Sequence, residues 1–323
     1  MVLQANVDRF QAELDKLIEP GARVGVAVSG GPDSMALLVL AAAARPSAVE
    51  AATVDHGLRE TSRAEAEMVA NVCQRLGVPH SILAVEWDCL PAAAIQEKAR
   101  QARYGALTRW MRDRKLPALV TGHHLDDQAE TFLMRLNRGS GVRGLAGMRS
   151  ASIVPGDPGL MLLRPLLEWR RAELEETCAQ ANLAPVADPS NSDEKHERVR
   201  IRQSLAKNAW LDAEAIARSA EHLGSADEAI AWAADREWSE FVEVCGDELV
   251  YRPSVAPMEI VRRVLSRAIA GLGTEGSPGD LRGREVDRLI ADLQACNTTT
   301  LRGVRCSGGL EWRFKRATPR ARS

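Results

Sequence analysis

Residues 24–34 read VGVAVSGGPDS, an apolar run that breaks into two glycines, a proline and an acid. Val24–Val28 has the length and composition of a buried strand, and the run MALLVLAAAA at 35–44 that of a buried helix. A strand that ends in Ser-Gly-Gly and passes into a helix turns several backbone N–H groups and a positive helix end toward one point, where an anion can bind. The glycines let the backbone come close, Ser29 and Ser34 add hydroxyl donors, and Pro32 suits either the turn or the first helical position. The GxxxxGK[ST] pattern of an ordinary phosphoryl-transfer ATPase is not there, so no lysine steadies the β- and γ-phosphates. Taken alone, the same residues also allow a plain Gly-rich turn in which Asp33 or Ser34 caps the helix.

Working outward, strand patterns at Val49–Val54, Ile82–Val85, Pro117–Thr121 and Leu160–Leu163 alternate with helical patterns at Arg63–Leu76, Pro91–Arg114 and about Asp126 to Arg138. That alternation predicts an α/β fold with a doubly wound, mostly parallel sheet. Such sheets take ligands beyond the carboxyl ends of their strands. VAVSGGPDS closes the first strand and LVTGHHLDDQ the fourth, so both are expected at one rim. The Gly- and Pro-rich segment 139–159 reads as a loop. From Ser204 the pattern turns helical through residue 244, with two more helices near Pro257–Ala270 and Arg284–Cys296 and a terminal hairpin around Ser307–Gly309. These features predict two domains, 1–204 and 205–323, the second smaller and mainly helical.

Composition bounds the function. Of 323 residues, 45% are apolar and 27% charged, an ordinary globular balance. The longest apolar stretch, Met35 to Ala44, is too short to span a bilayer, and the opening MVLQANVDRFQAELDKL is a charged amphipathic helix without a signal core. No membrane association and a cytoplasmic location are therefore expected. Six cysteines at 73, 89, 178, 245, 296 and 306 form no CxxC pair, which argues against a disulfide framework, a zinc ribbon or an iron–sulfur site. The net charge of −2 hides a basic end, since residues 281–323 hold ten Arg and Lys against four acids. Arg135, Arg138, Arg143 and Arg149 form a second basic stretch. Trp312 and Phe314 alternate with Arg313 and Lys315, a pattern that fits a core face opposite a solvated one better than base stacking.

His123 and His124 precede Asp126, Asp127 and Glu130 at the start of a helix, where carboxylates cap free N–H groups. Capping needs one acid, and three on one turn are costly without a cation. A divalent metal ion or the ammonium of a bound ligand would supply it. Asp55 and His56 close the second strand, a pair equally suited to a turn. Arg100 and Arg103 share one helix face, which on a bare helix is a solvated stripe.

The form SGG-x-DS after a first parallel strand resembles the pyrophosphate-binding loop of the N-type ATP pyrophosphatases. Four further stretches narrow the resemblance: TVDHGLR (53–59), QEKARQARYGAL (96–107), TGHHLDDQAETFLMRLNRGSGVRGLAGM (121–148) and RPLL (164–167). Together they are similar to the tRNA(Ile)-lysidine synthetase family, with 121–148 the most specific part. DPSNSDEKHERVRIR (188–202) is similar to a further family segment, although Val199 stands where asparagine is usual.

The resemblance implies an adenine nucleotide alpha hydrolase-like fold and a ligase that cuts ATP between the α- and β-phosphates. By that resemblance lysine is joined to C2 of the wobble cytidine of tRNA-Ile with a CAU anticodon, through an adenylated intermediate. It places Ser29, Gly30, Gly31, Pro32, Asp33 and Ser34 on ATP. Asp33, Asp55, His56, Arg103, Asp127 and Glu130 surround the reacting centre, with Asp127 and Glu130 toward Mg²⁺ or free L-lysine. Arg135, Arg138 and Arg143 are expected to meet tRNA, and a homodimer is left open. A tRNA cytidine thiolase of the same ATP group is the alternative, expected to carry paired cysteines. A small-molecule amidotransferase is another, expected to turn over without RNA.

Overall fold

A computed structural model describes residues 2–57, 62–85, 87, 95–186, 197–273, 281 and 283–317. Eleven helices and eleven strands are assigned among them. The chain divides into two compact units, one up to Gly224 and one from Ser225.

In the first unit α1 (Val2–Asp15) precedes β1 (Val24–Ala27), α2 (Pro32–Ala44), β2 (Val49–Asp55), α3 (Ser62–Leu76), β3 (His80–Ala84) and α4 (Ile95–Arg114). Then come β4 (Ala118–Val120), α5 (Leu125–Asn137), α6 (Val142–Leu145), β5 (Ala151–Val154), β6 (Asp157–Leu163), α7 (Arg171–Gln180) and α8 (Glu197–Lys207). The six strands form one sheet in the order β3-β2-β1-β4-β6-β5. All its pairs are parallel except β5 with β6. The strand order reverses on either side of β1, so the ends of β1 and β4 open a crevice at the switch point.

Burial on both faces explains why the central strands β1, β2 and β4 read as apolar runs rather than alternating ones. Phe10, Leu14, Leu37, Leu40, Trp169 and Leu174 of α1, α2 and the α7 region belong to one fully buried cluster with β1. A second cluster gathers Leu107, Trp110 and Met111 of α4 with Leu119 and Leu162 of the sheet. Dropping a fully buried leucine such as Leu37 to alanine costs about 2–5 kcal/mol in sites of this kind.

Two sequence expectations are corrected here. The segment 139–159 is more than a loop, since it contains α6, β5 and the start of β6, and the β5–β6 register shifts between Ile153 and Val154. The helical run expected through residue 244 ends earlier. After α9 (Ala213–Phe241), β7 (Val242–Cys245) and β8 (Glu248–Tyr251) form an antiparallel pair around Gly246.

The second unit continues with α10 (Met258–Leu272), α11 (Gly283–Gln294), β9 (Thr298–Leu301), β10 (Val304–Ser307) and β11 (Trp312–Arg316). Its helices accompany a separate antiparallel sheet in the order β7-β8-β11-β10-β9. The hairpin expected around Ser307–Gly309 is formed, with Ser307 opposite Arg313. Val261, Leu265 and Ile269 of α10 and Leu289 and Leu293 of α11 pack on Val304, Cys306, Trp312 and Phe314. Trp312 and Phe314 are therefore core, and base stacking on them is excluded. Inside this unit the buried Glu237 accepts the Tyr251 hydroxyl at 2.9 Å and the Ser254 hydroxyl at 2.8 Å, which ties α9 to the end of β8.

Candidate active site

The Ser29–Ser34 stretch leaves β1 and opens α2. Gly30 sits at φ 89°, in the left-handed region that glycine enters without strain. Gly31 precedes the helix in extended conformation and Pro32 takes its first position. Ser34 folds back, its hydroxyl donating to the Gly31 carbonyl at 3.0 Å and accepting from the Ser29 N–H at 3.1 Å. The loop is held from two further sides. The Val186 N–H donates to the Gly30 carbonyl at 3.0 Å, and the Cys178 thiol to the Pro32 carbonyl at 3.3 Å. Gly122, at the end of β4, lies so close that a Cβ there would fall 2.9 Å from the Asp33 carbonyl oxygen.

A cavity of about 410 Å³ opens over this loop. Its apolar side is Ala27, Ala52, Val54 and Leu107, beside Tyr104 and Thr53. The polar side combines Ser29, Asp33 and Ser34 with His56, Arg103, His123, Arg171 and Arg202. The wall therefore combines apolar surface with hydroxyls and cations suited to an anion.

Arg103 has no carboxylate partner among the described residues; its guanidinium stands 5.4 Å from the Tyr104 ring. Burial, with Arg100 nearby, lowers its pKa from the usual arginine value. His56 has a buried Nδ1 without a partner, and burial together with Arg103 pushes its pKa down, so the ring is neutral. Its carbonyl accepts the Trp87 indole N–H at 2.8 Å. Asp55 serves the turn instead, accepting the Gly57 N–H at 2.9 Å, and does not line the cavity. His123 is kept neutral by burial, its Nδ1 2.9 Å from the Thr121 hydroxyl.

The acidic cluster has an internal cation, His124. It precedes α5 and is 1% exposed. Its Nε2 lies 3.6 Å from both Asp33 Oδ2 and Asp127 Oδ2, and its Nδ1 3.6 Å from Asp126 Oδ2. Burial opposes its charge, but Asp126, Asp33 and Asp127 outweigh that and raise its pKa to about 10. Burial likewise works against the Asp33 charge, yet His124, Arg171 and Arg202 hold that carboxyl below its usual range.

Both capping and charge pairing are present. Asp127 Oδ2 accepts the His124 N–H at 3.2 Å, closing a capping box on α5. Asp126 reaches across to α7, accepting the Arg171 N–H at 2.8 Å and pairing with Arg170 at 3.1 Å; against burial, His124 first and then these two arginines hold its pKa at about 2. Glu130, 1% exposed, gives one oxygen to Arg202 Nε at 2.6 Å and the other to Arg198 Nε at 3.1 Å.

Asp127 and Glu130 consequently do not fit a Mg²⁺ pair, because their oxygens are already engaged by His124, Arg198 and Arg202. Among the described residues no group of three or more His, Cys, Asp and Glu is placed to hold a metal ion. Glu130 meets the cavity only through Arg202, which is on its wall. Val199 is buried on α8, an apolar position where no polar role remains.

The basic stretch after α5 divides between its own loop and the surface. Arg135 is half-buried and donates to the Gly144 carbonyl at 2.6 Å, shaping its own loop rather than facing a partner. Arg138 pairs with Glu197, and Arg143 lies on α6 with contacts of its own. The same loop is clamped by Gln128, which donates to the Met148 carbonyl and accepts the Met148 N–H, both at 2.7 Å. Residues 188–196 lie outside the described residues. Arg171 on the cavity wall was not legible in the sequence, where it is one of two arginines opening a helix.

Comparison with known proteins accords with this site. A family model described as a PP-loop domain matches residues 3–209. A tRNA(Ile)-lysidine synthase from Novosphingobium aromaticivorans is 46% identical over 98% of this chain and 95% of its own. Another from Zymomonas mobilis is 39% identical over 93% of this chain and 90% of its own. Among solved structures, the U34-tRNA thiolase NcsA from Methanococcus maripaludis, with its [4Fe-4S] cluster, aligns with TM-score 0.56 at 18% identity, over 69% of this chain and 80% of that one, a likeness of fold. The described cysteines are all free. No helix among the described residues is long and apolar enough to cross a membrane. With near-complete coverage at this identity, the chain belongs to the tRNA(Ile)-lysidine synthase family of PP-loop proteins.

Proposed function

We propose that the cavity over Ser29–Ser34 binds ATP and that the chain uses it to join free L-lysine to C2 of the wobble cytidine of a tRNA-Ile with a CAU anticodon. Residues 1–204 would carry the chemistry and 205–323 the remaining contact with tRNA. The observation that carries the reading is Arg103, a buried cation on the cavity wall with no carboxylate partner among the described residues, aimed at the same space as the Ser29–Ser34 loop. Desolvating a cation without a partner is costly, and an anionic ligand repays that cost.

In this reading the adenine lies against Ala27, Ala52, Val54 and Leu107, and the phosphates meet the N–H groups and hydroxyls of the loop and the first turn of α2. The cytidine O2 attacks the α-phosphate and pyrophosphate leaves. The lysine ε-amine then adds at C2, AMP departs with the former O2, and the amine loses a proton. Arg103 and Arg202 face the charge that grows on the α-phosphate, a preorganised stabilisation of the kind that dominates such steps. The neutral imidazoles of His56 and His123 are among the wall groups able to accept a proton, beside the carboxylates of Asp33 and Glu65. Glu130 and Arg198 act as positioning residues by fixing Arg202. Mg²⁺ would accompany the nucleotide on its phosphates and offset their charge. The anticodon base has to leave its stack to enter a cavity of this size.

The test is incorporation of labelled lysine and release of labelled pyrophosphate by purified protein, with and without tRNA-Ile carrying CAU. Lysine incorporation dependent on both ATP and tRNA is expected. Pyrophosphate release without lysine incorporation would reject the assignment.

A further inference from the structure

The second unit has a sheet face that its core does not use. Along β10 and β11, Val304, Cys306, Trp312 and Phe314 point into the core, so Arg305, Ser307, Arg313 and Lys315 point outward. The register sets these side chains in two rows. Arg305 lies opposite Lys315 on one side and Thr300 on the other, and Ser307 lies opposite Arg313 and Thr298. Cross-strand neighbours are about 5 Å apart and successive outward residues about 7 Å, so three cations and three hydroxyls share a compact patch.

The charges are unevenly shared across the sheet. On the β7–β8 side the outward residues are Glu243, Cys245, Glu248 and Val250. Arg313 is held by Glu248 at 2.9 Å and by Glu311, and Lys315 by the exposed Asp247 at 3.1 Å. Arg305 has no carboxylate partner among the described residues. The face therefore grades from acidic at β7–β8, where Val250 is buried and Glu248 half-buried, to basic and hydroxyl-rich at β9–β10, where all but the half-buried Ser307 is exposed and Thr298 and Ser307 form a hydroxyl pair at 3.2 Å.

We infer that the outer face of β9, β10 and β11 docks the sugar–phosphate backbone of the tRNA, with Arg305 and Lys315 on phosphates and Thr298, Thr300 and Ser307 donating to phosphate or ribose oxygens. The partner follows from charge complementarity and from flatness. A pleated sheet face of cations and hydroxyls suits a broad polyanion, and phosphate contacts of this kind position a nucleic acid without reading its sequence. The acids of β7 and β8 repel the same backbone and so fix which side of the face it covers. This inference rests on tRNA being the substrate.

The experiment measures binding of full-length tRNA to Arg305→Ala, Lys315→Ala and the double variant across a range of KCl, beside lysine incorporation. Each substitution is expected to weaken tRNA binding about fivefold or more at moderate salt and to lower the slope of log K against log salt by about one. KM for lysine and the rate at saturating tRNA stay unchanged. An unchanged slope and affinity in the double variant would overturn the inference and leave a solvated face. Loss of rate at saturating tRNA would also overturn it, by making the residues structural. Glu243→Lys is the converse variant, expected to tighten binding and steepen the slope. If wild-type protein binds tRNA with the stated slope yet incorporates no lysine, the reaction assigned above fails while the docking face stands.

Discussion

Replacing His124 with glutamine is the sharpest test of how the reaction centre is held together. The imidazolium is 1% exposed and stands 3.6 Å from Asp33, Asp126 and Asp127. Removing one partner of a buried ion pair costs about 3–5 kcal/mol because the remaining charge is stranded. Its pKa, raised from 6.5 to about 10, gives a figure of the same order, since each pH unit is worth about 1.4 kcal/mol. A raised pKa means that the contribution is whole below about pH 6.5, shrinks as pH rises and is gone above about pH 10. The assay is thermal unfolding of wild type and His124→Gln, followed by circular dichroism, at pH 6 and again near pH 9.5. At about 2–4 °C per kcal/mol for a unit of this size, the midpoint is expected to fall by roughly 6–20 °C at pH 6. The gap should narrow to a few degrees near pH 9.5. A fall smaller than about 3 °C at pH 6, or a gap that does not change with pH, would refute the ion-cluster argument.

Arg103→Gln is expected to lower tRNA-dependent pyrophosphate release by about 100-fold or more while leaving the melting midpoint unchanged or slightly higher, since it removes a buried cation that lacks a carboxylate partner among the described residues. A parallel drop in stability would contradict that account. Gly122→Ala places a methyl group 2.9 Å from the Asp33 carbonyl, so the Ser29–Ser34 loop has to move; the expected result is a raised KM for ATP and a loss of about 1–3 kcal/mol in denaturant unfolding. Glu130→Gln keeps the shape but drops the charge that holds Arg198 and Arg202, and kcat should fall severalfold with KM for ATP less affected. Steady-state kinetics on the two substrates separately would decide it.

The parallel sheet was readable because its central strands β1, β2 and β4 are buried on both faces, so each stands out as a short apolar run. The β5–β6 hairpin was not, because Ala151–Val154 is a four-residue edge strand inside Gly-rich sequence that looks like loop. The end of α9 was missed for the opposite reason: WSEFVEV continues a helical pattern, and only pairing with β8 turns Val242–Cys245 into a strand. At the site, the Ser29–Ser34 loop, His56 and Arg103 were placed on the cavity wall by motif alone. What failed was the assignment of charge. The acids of α5 read as a seat for an outside cation, whereas one cation, His124, stands within the motif itself and the others, the arginines at the start of α7 and on α8, lie far along the chain and only folding brings them in. The loop contacts of Arg135 were not legible either, since the carbonyls it binds carry no signature in the sequence.

The cluster around His124 also constrains how this site can diverge. Asp33, Asp126 and Asp127 share one proton-bearing ring, while Asp126 and Glu130 lean on arginines from α7 and α8. Any single charge lost there strands a buried neighbour, so a descendant that alters one member passes through a poorly folding intermediate unless a second change arrives with it. Charged positions on four separate segments are thereby inherited as one unit, and a lineage can reshape the apolar side of the cavity or the outer sheet face far more freely than it can redraw this small electrostatic knot.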